Sequence, residues 1–201
     1  MDNGQTTTSI DHLIADARAV PVSRVDSPEV VAFAMAPHDS PCDADIEWTL
    51  LDRAAHAMEA RDWPAVIVAI SGASLAAPSF AYRVRDLAEH HGLDPRRMWL
   101  EIDSPADALA RPGVVRTLAI RHPVGCRIDD AHALNDRVLI PDLVDAGVSF
   151  AWLRPAYGAT VADDLSALIG GRSLVRRART HGLRVIGPAE LGTHMMPPAG
   201  P

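Results

Sequence analysis

Between Ala65 and Gly187 the chain alternates short apolar runs with helix-length segments, and this rhythm constrains the fold more than any other feature. The runs are Ala65–Ser71 (AVIVAIS), Met98–Asp103, Val124–Asp129, Val148–Leu153 and Leu183–Gly187. Each suits a strand buried on both faces and is too short for a helix with a core-facing stripe. The intervening segments have helical spacing. In Pro78–His91 the residues Phe80, Val84, Leu87 and Ala88 fall on one face, and Gly92 follows as a stop. Ser104–Arg121 contains a helix interrupted near Pro112-Gly113, Ala131–Ala146 a helix with a weak point at Pro141, and Asp164–His181 a helix closed by Gly182. Strands joined by helical crossovers run parallel. Such a run closes into a β/α barrel or lies open as a doubly wound sheet.

Two shorter runs precede this series. Val20–Val25 and Val30–Ala36 are separated by the turn signal DSPE, so they form an antiparallel hairpin. A helix follows in which Ile46, Leu50, Ala54 and Met58 recur every fourth residue, with Asp43 or Asp45 available as its cap. Residues 1–8 (MDNGQTTT) are polar and expected to be disordered, and Ser9–Ala19 places Ile10, Leu13, Ile14 and Ala17 on one face of a short helix. The expected organisation is an extension over 1–19, one β/α domain over 20–191, and a flexible Pro-rich tail over 192–201.

Composition excludes several classes of function. A chain of 201 residues with 48% apolar and 22% charged residues can bury a sizeable core as one domain. Its net charge of −7 argues against nucleic acid as a partner, because phosphates attract a basic excess. Arg176-Arg177 and Arg179 read as a solvated helix face. No apolar run approaches the roughly 18 residues of a spanning helix, and no basic segment followed by an apolar one opens the chain, so a soluble cytoplasmic protein with no membrane contact is expected. Cys42 and Cys126 are far apart and lack metal-ligand spacing, which suggests two reduced thiols.

The residues most suggestive of chemistry lie in Met98–Asp130. Glu101 stands at the end of one strand and Asp129-Asp130 at the end of the next, where parallel folds build their sites. Elsewhere, Ser71-Gly72 has no G-x-S-x-G elbow around it. His90-His91 end a helix, where positive charge is favourable, and no further metal ligand lies nearby in sequence.

The order of the segments adds a specific signal over Val20–Leu191. VAISGASLAAPSFAYRVRDLAEHHGLDPRRMWLEIDSP (Val68–Pro105) resembles the V-N-L-S…L-x-L-E-I-T-E-S segment of the EAL domain family of cyclic di-GMP phosphodiesterases. CRIDDAHA is similar to its D-D-F-G strand, GVSFAWLRPAYG to V-D-x-L-K-I-D-x-S-F-V, and HGLRVIGPAEL to G-L-x-V-I-A-E-G-V-E. The resemblance implies an α/β fold, a modified TIM-like (β/α) barrel of the EAL type with an antiparallel early strand. Here its C-terminal end is truncated, and the motifs alone leave open whether the barrel closes.

It also implies where chemistry would reside. In active members the E of E-A-L, the N of V-N-L-S, the first E of E-I-T-E and both D of D-D-F-G surround divalent metals, aided by a lysine and a late glutamate. In this chain Ala34 stands at the first glutamate, Ala69 at the asparagine and Ser104 at the second glutamate of E-I-T-E-S. Trp152 falls at the lysine, Arg154 at the aspartate of K-I-D, Pro188 at the late glutamate and Val22 at the glutamine of Q-P-I. Only Glu101, Asp129 and Asp130 keep the pattern. Three carboxylates without the opposite wall hold a magnesium ion weakly. Arg154 is expected to neutralise Asp129 or Glu101, with Trp152 filling the mouth as a plug rather than stacking on a base.

The expectation is therefore a degenerate, non-catalytic EAL-like domain with no catalytic residue, no bound metal and no cofactor. Its residual pocket would comprise Glu101, Asp129, Asp130, Trp152 and Arg154. It would act in bacterial signalling through a protein partner, with homo-oligomerisation left open. The alternatives are a noncatalytic cyclic di-GMP receptor and a weak metal-dependent cyclic di-GMP phosphodiesterase.

Overall fold

A computed structural model describes residues 18–24, 29–36, 44–60, 63–128, 139–153 and 165–188. Seven strands form one closed barrel: β1 (Arg18–Arg24), β2 (Val30–Ala36), β3 (Val66–Ile70), β4 (Met98–Ile102), β5 (Val124–Ile128), β6 (Phe150–Leu153) and β7 (Arg184–Pro188). β1 and β2 pair antiparallel, from Arg18 opposite Ala36 to Ser23 opposite Val30, as the DSPE turn predicts. From β2 to β7 every pair is parallel. Closure comes from β1, which pairs antiparallel with β7 through Val22–Pro188, Ser23–Gly187 and Arg24–Ile186. The question left by the sequence is thus answered. The N-terminal hairpin supplies the strand that seals the ring, and neither sheet edge is left open.

The helices follow the alternation with local corrections. They are α1 (Ala44–Ala60), α2 (Gly72–Ala76), α3 (Phe80–His90), α4 (Pro105–Ala110), α5 (Pro112–Ala119), α6 (Leu139–Asp145) and α7 (Leu165–Thr180). α3 stops at Gly92, whose φ of 62° only glycine adopts at no cost. The interruption expected near Pro112 falls at Arg111, and Pro112 opens α5, where its missing N–H costs nothing. Ser104 caps α4 by accepting from the Asp107 amide at 3.3 Å. Pro141 is no weak point, because it lies in the first turn of α6. β1 begins at Arg18, so Arg18 and Ala19 belong to a strand and not to the end of the expected helix. The rest of that helix, the polar start, Cys42, the cap at Asp43 and the tail lie outside the described residues.

Period-two alternation sorts the strands into two cores. Val66, Val68, Ile70, Met98, Leu100, Ile102, Val124, Cys126, Ile128, Ala151 and Leu153 point outward and pack under the helices with Leu50, Ala54, Met58, Phe80 and Val84. Val22, Ala32, Ala34, Ala65, Ile67, Trp99, Phe150, Trp152 and Ile186 form a separate cluster inside the ring. Gly125 makes that inner cluster possible: a Cβ there would lie 2.1 Å from a ring carbon of the fully buried Phe150. With no side chain on Gly125, Phe150 fills the space and tilts against Trp99 at 5.3 Å between ring centres. Among the described residues, no helix is long and apolar enough to cross a membrane.

Candidate functional site

The C-terminal ends of β3 to β6 form the mouth of the barrel. Glu101 sits in β4 between Ala69 of β3 and Gly125 of β5. Two residues further along each chain, on the same face of the sheet, stand Asp103 and Arg127. The Arg127 guanidinium joins both acids. Its Nε donates to Glu101 Oε1 at 2.5 Å, and its Nη1 lies 3.1 Å from Asp103 Oδ1. The Glu101 side chain is 5% exposed, so its charge is removed from water and needs this partner; the Arg127 side chain is 21% exposed and faces the opening.

Trp152, opposite Arg127 in the register of β5 and β6, is 6% exposed and packed with Phe150 and Ile186 inside the ring. Ala34 and Ala69 are buried and line the wall without a polar atom in their side chains. Of the residues singled out in the sequence, Glu101 and Trp152 therefore come to the mouth. Asp129, Asp130 and Arg154 lie outside the described residues. The arginine described at Glu101 is Arg127, which the sequence reading did not single out; the expected pairing by Arg154 lies outside the described residues. Alternation along β5 puts Arg127 on the inward face with Gly125, but its pairing with Glu101 needs the register of β4 against β5. Asp103 was missed for the same reason.

The divalent metals that the resemblance implies meet a poor donor set among the described residues. Glu101 is already paired with a guanidinium, while Ala34 and Ala69 offer no oxygen. A magnesium ion demands a near-complete oxygen octahedron, and these residues do not supply it. Nor do the described residues offer a cysteine nucleophile here. Cys126 points into the outer core, and burial pushes its thiol pKa upward, with the charges of Glu101 and Asp107 adding to the effect.

A second buried acid lies behind the mouth. Glu47 of α1 is fully buried and accepts from the Ser71 amide at 3.0 Å, tying α1 to the end of β3. Ser71 in turn caps α2 by accepting from the Ser74 amide at 3.2 Å. The apparent nucleophile at Ser71 is thus a helix cap.

No protein-family model matches the chain, and no curated protein matches it by sequence. Solved structures do match. The EAL enzyme Bd1971 in its cGMP-bound form superposes with a TM-score of 0.68 at 12% identity, over 94% of this chain and 60% of that one. PaMucR phosphodiesterase, in a c-di-GMP complex, gives 0.70 at 18% identity over 89% of each chain. The EAL domain of Mycobacterium smegmatis DcpA gives 0.68 at 15% identity over 83% of this chain and 77% of that one. The chain spans less than two thirds of the Bd1971 chain. At these identities the likeness establishes the fold, that of an EAL-type barrel.

Proposed function

We propose that this chain is a non-hydrolysing EAL-type barrel that acts in bacterial cyclic di-GMP signalling by contacting another protein. The observation that carries this is the ion pair between Arg127 and Glu101. A two-metal phosphodiesterase uses its ions to generate hydroxide and to clamp the attacking and leaving oxygens. A carboxylate held 2.5 Å from a guanidinium is not free to ligate either ion. Trp152, Ala34 and Ala69 support the same conclusion, because they remove both the polar wall and the space beside it. What the fold still offers a partner is its helical exterior.

A second reading has one observation in its favour. Arg127 is partly exposed at the mouth, and a guanidinium there can pair with a phosphate, as required of a cyclic di-GMP receptor that does not cleave its ligand. Calorimetry of the full chain with cyclic di-GMP, with and without Mg²⁺ or Ca²⁺, separates these. Absence of heat and of linear product, together with a protein retained on co-purification from the host, is the expected result. Micromolar binding without turnover supports the receptor, and linear product overturns the proposal.

A further inference from the structure

On the outside of the barrel, three ligand atoms converge. Asp52 and His56 are four residues apart on α1, so they share a face of that helix. His91 follows α3 directly, and its ring comes to the same spot. One donor atom from each of the three lies within 4.8 Å of the others. The sequence suggests no partner for His90-His91; folding supplies one from 39 residues upstream.

The geometry points to a binding site for a first-row divalent cation, best matched by Zn²⁺, held by Asp52, His56 and His91. Two imidazole nitrogens and one carboxylate oxygen are the donors zinc prefers, with a fourth position left for water. Donors around a tetrahedral zinc stand roughly 3.3 Å apart, given metal–ligand lengths near 2.0 Å. His91 Nε2 and Asp52 Oδ1 already meet that spacing at 3.1 Å. His56 needs only a rotation of an exposed side chain; its ring lies edge-on to His91 at 4.6 Å between centres.

A separate feature argues for a ligand rather than a chance meeting of surface groups. The His91 side chain is only 5% exposed, and its other nitrogen, Nδ1, lies 3.2 Å from Glu59 Oε1. That carboxylate fixes the ring so that Nε2 faces Asp52. This is the arrangement of a metal-bound histidine, whose free N–H donates to an acid. His91 also stands at the C-terminus of α3, where the helix end favours a positive ion. A bound ion would staple α1 to the end of α3, two elements otherwise joined mainly by apolar packing.

The test uses the full chain without a polyhistidine tag, stripped of metal by chelation. Titration calorimetry with Zn²⁺ should show one ion per chain, and Co²⁺ should give the visible spectrum of a tetrahedral nitrogen–oxygen site. His91 is buried and its replacement risks misfolding, so exposed His56→Ala and Asp52→Asn are the decisive variants; each should weaken Zn²⁺ by tenfold or more, about the loss also expected for Glu59→Gln. Glu101→Gln should leave the affinity unchanged. Failure of the parent chain to bind overturns the proposal. So does unchanged affinity in both His56→Ala and Asp52→Asn, or loss of binding in Glu101→Gln, which would move the ion to the barrel mouth.

Discussion

Removing Arg127 while leaving Glu101 in place is the sharpest perturbation of the mouth. Arg127→Met keeps most of the aliphatic stem and deletes the charge, so Glu101 is left as a carboxylate with 5% of its side chain exposed. Breaking a fully buried pair in this way costs about 3–5 kcal/mol. Arg127 is 21% exposed and Asp103 28%, so water from the mouth reaches part of the network. The expected loss therefore falls below that range, at about 2–3 kcal/mol. Glu101→Gln alone strands the guanidinium but leaves it Asp103, and should cost less. The double variant Glu101→Gln/Arg127→Met removes both charges at once and should lie within about 1 kcal/mol of the parent. Urea unfolding of all four proteins gives the coupling energy directly, with an expected value above about 1.5 kcal/mol. A coupling below about 0.5 kcal/mol would mean that the two side chains are neighbours without mutual dependence, so that Arg127 would not be what holds Glu101 from a metal.

The inner core makes a second test. Gly125→Ala places a methyl carbon 2.1 to 2.4 Å from three ring atoms of Phe150, which has no room to move, so melting temperature should fall by the equivalent of about 1–3 kcal/mol. Recovery in Gly125→Ala/Phe150→Leu is expected, and an unchanged melting temperature in Gly125→Ala would refute the packing described. His122 gives a pH dependence. It is 3% exposed, and burial lowers its pKa from the ordinary 6.5 although the carbonyls of Met98 and Pro95 oppose the shift. The unfolded chain takes up that proton first, so stability is full above 6.5 and declines as the pH falls toward the lower folded value, by up to about 1.4 kcal/mol per pH unit. His122→Gln should flatten this part of the acid limb in urea unfolding at about pH 7.5 and 5.5; an identical acid loss in both proteins would assign it elsewhere.

The strand–helix rhythm made most of the architecture legible, because buried parallel strands are continuous apolar runs and their crossovers are amphipathic. The glycine stop at Gly92 and the break before Pro112 were readable for the same local reasons. Closure was not, since whether Val22 meets Pro188 depends on barrel curvature that no window of sequence contains. The site was half legible. Glu101 and Trp152 could be placed by motif, but the pairing of Glu101 with Arg127 requires the register of β4 against β5. Likewise, Asp52, His56 and His91 are unremarkable in the chain and become a cluster only when α1 and α3 are laid side by side.

The two faces of each strand explain how such a barrel can hold its fold independently of what its mouth carries. Val66, Val68 and Ile70 hold the helices, whereas Ile67 and Ala69, between them, face the lumen. An alanine at position 69 or 34 changes the lumen without touching the outer layer, and an arginine at 127 needs only an inward acid to satisfy it. The scaffold is therefore nearly indifferent to whether its inner polar groups hold a metal or one another. The charge is what must balance: a buried carboxylate at position 101 needs a cation, and a guanidinium on the neighbouring strand meets that need without an ion from solution. On the reading proposed above, a metal at this mouth would require both removing Arg127 and placing oxygens on the opposite wall. Neither change is favourable alone, because the first takes the guanidinium from a buried acid and the second adds acids beside apolar Trp152.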